Sequence, residues 1–200
     1  GTANLDVVDI DGAVDMASTL AVGGAATFSG DVTLASATAN KPVLTLTDTN
    51  ADSQGPDLVF RKDSASPADG DELFRIYGYG DDDAGNATEG FLMLATMTDV
   101  SNGSEDTKVR MMTYGAGSQR DTLTLAGESV GIGTTSPARS PLHLATSGSD
   151  YCQLHMTNGT SGSASGDGLT LFTNSADAGL MQRENSYLLF GTNDTERMRI

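Results

Sequence analysis

From Val8 to Leu34 the apolar and small residues never lose phase. Val8, Ile10, Val14, Met16, Leu20, Val22, Phe28, Val32 and Leu34 all fall on even positions, with Asp, Ala, Thr, Ser or Gly at the odd positions. A period of two is the signature of a strand with one apolar and one polar face. No single strand runs that far, since typical strands hold about 5–6 residues. A finer unit is visible inside the run: VDIDGA, VDMAST, LAVGGA, ATFSGD and VTLASA repeat apolar-x-apolar-x-small-x. The small residue at Gly12, Ser18, Gly24, Gly30 and Ser36 permits a bend or a close backbone approach. Short strands joined by bends at a fixed period belong to a β-solenoid or to an intertwined β-fibre. Five hexads are too few for a free-standing single-chain coil. Three chains around one axis, each supplying one face, use the same hexads better, so the pattern predicts a parallel homotrimer.

Composition points the same way. Hydrophobic residues make up 38% of the 200 residues and aromatics 6%, with no Trp and 24 Gly. That is little mass for a monomeric core, and copies of the chain can supply what one chain lacks. The net charge of −16 argues against nucleic acid, whose phosphates would be repelled. No run of 18 apolar residues is present, so membrane insertion is not expected. The single cysteine, Cys152, allows no disulfide within the chain and reads as a packed strand residue.

After Lys41 the texture changes to short alternating runs between Asp/Asn/Gly/Ser/Pro clusters. Strands are predicted at Val43–Thr47, Leu58–Arg61, Leu73–Tyr79, Phe91–Thr96, Lys108–Tyr114 and Thr122–Leu125, an antiparallel β-module with little helix. The pattern then restarts. QLHMTNGTSGSASGDGLTLF (153–172) echoes VLTLTDTNADSQGPDLVF (43–60), SYLLFGT (186–192) echoes GFLMLAT (90–96), and ERMRI (196–200) stands where DTLTL (121–125) did. The second copy lacks a counterpart of Lys108–Tyr114. The expected division is a hexad shaft at 1–40, a first β-module at 41–129, a seam at 130–144 and a shorter β-module at 145–200. The chain begins and ends inside these patterns, as a piece of a longer protein would.

The seam, VGIGTTSPARSPLHL (130–144), has glycines but no phosphate-loop GK[ST] ending and no following helix for a dinucleotide site. Val130 and Ile132 share one face and belong with the predicted trimer core, while Gly131 and Gly133 leave the other face bare for a second backbone. Pro137 and Pro141 are expected to end the sheet and let the chain cross to the next module.

Other candidates for chemistry are weak. Asp81-Asp82-Asp83 with Asn86 departs from the calcium-loop pattern at Asn86 and Leu92 and reads as an exposed turn. Asp9, Asp11 and Asp15, tripled in a trimer, read as a solvated stripe, with weak cation binding as the alternative. Nothing marks one carboxylate pair for glycosidic cleavage. His143 and His155 alternate with apolar neighbours and read as outward-facing strand residues. No nucleophile elbow is present. No catalytic residue, cofactor or metal is expected, and the chain is not read as an enzyme.

VGIGTTSP with the following PLHL, the TERMRI of 195–200 and the shaft text LAVGGAATFSGDVTL (20–34) resemble bacteriophage tail fibre and tailspike-like proteins. In that family a TERMRI-like run leads into the VGIGTTSP-type seam. Here the two halves stand in different modules. The resemblance covers the shaft, seam and second module and is weakest over 61–120. It implies an elongated homotrimer on the virion, joined to other tail proteins, with an intramolecular chaperone often following. No chaperone residue is matched. The implied function is a shaft and spacer supporting host attachment. Alternatives are a module binding a host surface glycan or protein through the loops 62–71, 80–90 and 99–107, a glycan-depolymerising tailspike, and a bacterial trimeric adhesin stalk.

Overall fold

A computed structural model describes residues 19–138, 141–146 and 151–200. The predicted core residues Val8, Ile10, Val14 and Met16 lie outside the described residues. The chain divides into two units, Gly1–Asp57 and Leu58–Ile200. In the first unit every described residue is exposed and none belongs to a strand or helix.

The second unit is all-β, and no helix occurs among its described residues. Its strands are β1 (Glu72–Asp81), β2 (Ala87–Asp99), β3 (Asp106–Gly115), β4 (Ser118–Ala126), β5 (Ser129–Ile132) and β6 (Leu142–Leu144), then β7 (Cys152–Met156), β8 (Leu169–Asn174), β9 (Asp177–Gln182), β10 (Leu189–Thr192) and β11 (Thr195–Arg199). They form a six-stranded sheet in the order β1 to β6, a three-stranded sheet β7-β8-β9 and a hairpin β10-β11. All pairs are antiparallel except β5-β6.

Turn chemistry explains the tight connections. Ala116 and Gly117 (φ 51° and 73°) join β3 to β4, and Asn193 and Asp194 (φ 50° and 53°) join β10 to β11. Two consecutive left-handed residues give the turn whose twist matches a two-residue hairpin. In the shorter module the turn at Asn193 joins the counterparts of β2 and β4 directly, which is why nothing like β3 is needed there.

Strand pairing departs from expectation over Val43–Thr47 and Leu58–Arg61, neither of which forms a strand. A strand exists through its ladder partner, and alternation alone supplies none. Strand β2 outruns its predicted span of 91–96 at both ends, because backbone pairing continues through the polar Ala87–Gly90 and Met97–Asp99.

The six-stranded sheet has two chemically different faces. Directly paired residues share a face. One row reads Ile76–Met93–Met111–Leu123–Ile132–Leu144 across all six strands. Two residues along each strand, a parallel row reads Phe74–Ala95–Val109–Leu125–Val130–Leu142. The opposite face carries Arg75–Leu94–Arg110–Thr124–Gly131–His143. The unbroken apolar run Phe91–Ala95 in the sequence reflects this, since β2 contributes apolar side chains to both faces. The buried cluster is small: Leu92, Leu94 and Met112 on the mixed face.

Candidate functional site: a bare apolar face and a folded-back seam

The predicted seam does not end the sheet. After β5 the chain loops through 133–141 and returns as β6, parallel to β5, with Val130 opposite Leu142 and Ile132 opposite Leu144. Val130 N–H donates to Pro141 O (2.8 Å) and Ala145 N–H donates to Ile132 O (2.9 Å), extending the parallel pairing at both ends. This corrects the expectation that the two prolines terminate the sheet. Pro141 has no N–H to give, but its carbonyl still accepts, and the accepting side is the one facing β5.

The glycines are bare for the reason expected, with the chain itself as the second backbone. A Cβ on Gly131 would lie 2.9 Å from Thr134 Cγ2 and 3.0 Å from Thr134 O. A Cβ on Gly133 would lie 2.2 Å from Ala145 O, and Gly133 has φ +74°. Gly133 therefore excludes a side chain, and at Gly131 one would have to push the Thr134 methyl aside. Ala138 N–H donates to His143 Nδ1 (3.2 Å), which pins the loop over the mixed face. His143 is thus half-buried and engaged, not an outward strand residue. His155 is likewise held, its Nε2 lying 2.5 Å from Asp167 O.

On the mixed face Arg110 Nε donates to Asp121 Oδ1 (2.7 Å) with both side chains partly buried. Arg75 pairs with Glu72 and donates to Tyr77 Oη (2.8 Å). The hydrogen bond from Arg75 lowers the Glu72 carboxyl pKa, and the same pairing raises that of the guanidinium. These groups satisfy one another. Thr124 is fully buried, and its Oγ1 has no partner.

The apolar face is covered unevenly: Ala95 is buried, Met93, Val109, Met111 and Leu123 are half-buried, and Phe60 stacks on Phe74 with ring centroids 5.1 Å apart. Ile76, Leu125, Ile132 and Leu142 are exposed, Ile132 to 45% and Leu142 to 53%. Of the predicted core set, Val130 and Ile132 therefore sit together on this face. Leu20, Val22, Phe28, Val32 and Leu34 are exposed on the first unit. The three-stranded sheet repeats the theme with the row Leu154–Leu171–Leu180, all exposed. Leu144, at the end of the first ladder, lines one groove with Leu154, Leu171 and Cys152. Sequence reasoning found the alternation on each strand. It missed that the registers align it into ladders, because register depends on the bulges at Gly78/Tyr79 and Met111/Met112.

The three long loops are braced internally. Asp82 Oδ1 accepts from Ala84 N–H (2.9 Å) and Asn86 N–H (2.8 Å), and Asn86 Nδ2 donates to Oδ2 (3.0 Å). These bonds, the Asn86 side chain first, hold the Asp82 carboxyl below the usual aspartate range. At the other end of the sheet Val100 N–H donates to Asp69 Oδ1 (3.0 Å), and near the end of β2 Gly70 N–H donates to Met97 O (2.7 Å) while Met97 N–H donates to Asp71 O (2.8 Å). The loops 62–71 and 99–107 thus meet at one end, and 80–90 lies at the opposite end of the β1-β2 hairpin. They do not form one surface. Among the described residues no group of three or more His, Cys, Asp or Glu is arranged to hold a metal ion.

Compared with known proteins, the chain matches no family model and no curated sequence.

Proposed function

We propose that this chain is a structural segment of a bacteriophage tail fibre, a shaft followed by spacer modules, working as a parallel homotrimer in support of host attachment. The observation that carries the reading is the exposed part of the apolar face of the six-stranded sheet, at Ile76, Leu125, Ile132 and Leu142. Covering Ile76, Leu125, Ile132 and Leu142 contributes roughly 1 kcal/mol each, and three copies multiply the gain. The all-β fold, the hexad phase of 8–34 and the seam text support the same reading, and the mutually satisfied polar groups favour a structural over an enzymatic role. The binding-module alternative has less support, because the long loops sit at opposite ends of the sheet.

Light scattering at micromolar concentration tests the assembly, with a trimeric mass expected and a monomeric mass refuting it. Ile132→Asp, which puts a charge among the exposed side chains at the β5-β6 end of the ladder, is expected to dissociate the trimer. Antibody labelling of intact virions tests the location. Label confined to the capsid would refute a place in the tail fibre.

A further inference from the structure

An asparagine followed by glycine is chemically labile, because no Cβ hinders attack of the glycine nitrogen on the asparagine carboxamide. The sequence holds two such pairs in nearly the same local text, SNGS (101–104) and TNGT (157–160). A Cβ on Gly103 or on Gly159 would meet nothing within 4 Å. Space around the glycine therefore does not distinguish the two pairs. The asparagine side chains do.

Asn158 is held. Its Oδ1 accepts from Thr160 N–H (2.8 Å) and from Ser161 N–H (3.0 Å). Its own N–H donates to Ser161 Oγ (2.9 Å), and its carbonyl accepts from Gly162 N–H (3.1 Å). To bring Cγ onto the Gly159 nitrogen, the side chain must leave both backbone donors. The two aspartates that precede a glycine among the described residues are held in the same way. Asp69 Oδ1 accepts from Val100 N–H (3.0 Å), and Asp167 Oδ2 accepts from Ala164 N–H (2.8 Å).

Asn102 is different. It is exposed in a turn closed by Ser104 N–H donating to Ser101 O (2.9 Å), with Gly103 at φ +90°. The turn is anchored beside it, where Ser101 N–H donates to Asp99 Oδ1 (2.7 Å). Among the described residues no hydrogen bond holds the Asn102 side chain. Its carboxamide reaches the Gly103 nitrogen without breaking any bond of its own. The Glu105 carboxyl is held below its ordinary value by its own N–H and then by that of Gly103, so the attacking nitrogen faces a proton acceptor.

We propose that Asn102 is a site of spontaneous deamidation, and that the fold protects Asn158 from the same reaction. The Gly103 nitrogen attacks Asn102 Cγ, and a ring closes through the new N–C bond. The bond from Cγ to the amide nitrogen breaks, and that nitrogen leaves as ammonia carrying the proton that Gly103 gave up. Water then opens the ring at either carbonyl, giving aspartate or isoaspartate. A neutral amide has become a carboxylate, in a loop that already carries Asp99, Glu105 and Asp106.

Peptide mapping of the full chain tests this. The protein is held in mildly alkaline buffer, sampled over time and digested, and the fraction of each asparagine converted to acid is read by mass. With each backbone hydrogen bond at its usual net worth, Asn158 should react roughly thirtyfold more slowly than Asn102. Equal rates in the folded protein, or a faster Asn158, overturn the proposal. In concentrated guanidinium the two rates should converge, and a difference that persists there overturns the role given to the fold. Asn102→Gln should remove the early acidic band on isoelectric focusing, and a band that remains overturns Asn102 as its source.

Discussion

Replacing Gly133 with alanine should open the parallel return of the chain. Gly133 sits at φ +74°, and the new Cβ would meet Ala145 O at 2.2 Å, a backbone atom that cannot rotate away. Holding alanine in the left-handed region costs about 1–2 kcal/mol. Moving Ala145 aside weakens the 2.9 Å bond from its N–H to Ile132 O, a loss of about 1 kcal/mol. The sum, about 2–3 kcal/mol, corresponds to an increase in local opening of roughly 30- to 160-fold. Amide hydrogen exchange reads this directly, as a drop of that size in protection at Leu144 and Ala145, with β2 and β3 unaffected. Gly23→Ala is the control, because nothing lies within 4 Å of its Cβ and no positive φ is required there, so its effect should stay within about 0.5 kcal/mol. Unchanged protection at Ala145 in Gly133→Ala would refute the account of the seam as a glycine-dependent close contact.

Three other substitutions probe different forces. Met112→Ala removes the side chain of a residue only 1% exposed and should cost about 2–5 kcal/mol in denaturant unfolding; a loss below about 1 kcal/mol would show that the small Leu92–Leu94–Met112 cluster is not packed. Thr124→Val replaces the unpartnered buried hydroxyl with a methyl and should leave stability unchanged or raise it by about 1 kcal/mol, whereas a marked loss would reveal a partner for Oγ1. Asn86→Ala should move the Asp82 carboxyl up toward the ordinary aspartate value in an NMR titration, since the Asn86 side chain is the main cause of its depression. The sign follows from that depression: the turn's stabilisation by Asp82 is present above the ordinary aspartate pKa and is lost as pH falls through the lowered one.

Much of this architecture is legible in the residues. The run Phe91-Leu-Met-Leu-Ala95 announces a strand with apolar contacts on both sides, and Lys108–Tyr114 and Thr122–Leu125 fall within β3 and β4. Gly131 and Gly133 signal a close backbone approach, which the structure supplies. What the sequence withheld is the direction of the return. Nothing in Pro-Leu-His-Leu distinguishes departure to another module from a parallel sixth strand, because that choice depends on where β5 already lies. Gly168 is a second instance: it is ordinary punctuation when read alone, and only the position of Met156 O shows why no side chain fits there.

The sequential strand order of the large sheet has a consequence for the timing of assembly. Each strand from β2 to β6 pairs with the one made just before it, so the sheet can form from near-neighbour contacts as the chain emerges, at the fast end for a β-structure. Its apolar ladders then exist on a nascent, solitary polypeptide. In the proposed homotrimer the ladders and the edge of β1 would stand exposed to other growing chains until the copies meet, and the same stickiness that would drive assembly can drive clumping. Yield in a heterologous host should therefore fall as synthesis rate and temperature rise, through a kinetic contest between ordered docking and aggregation.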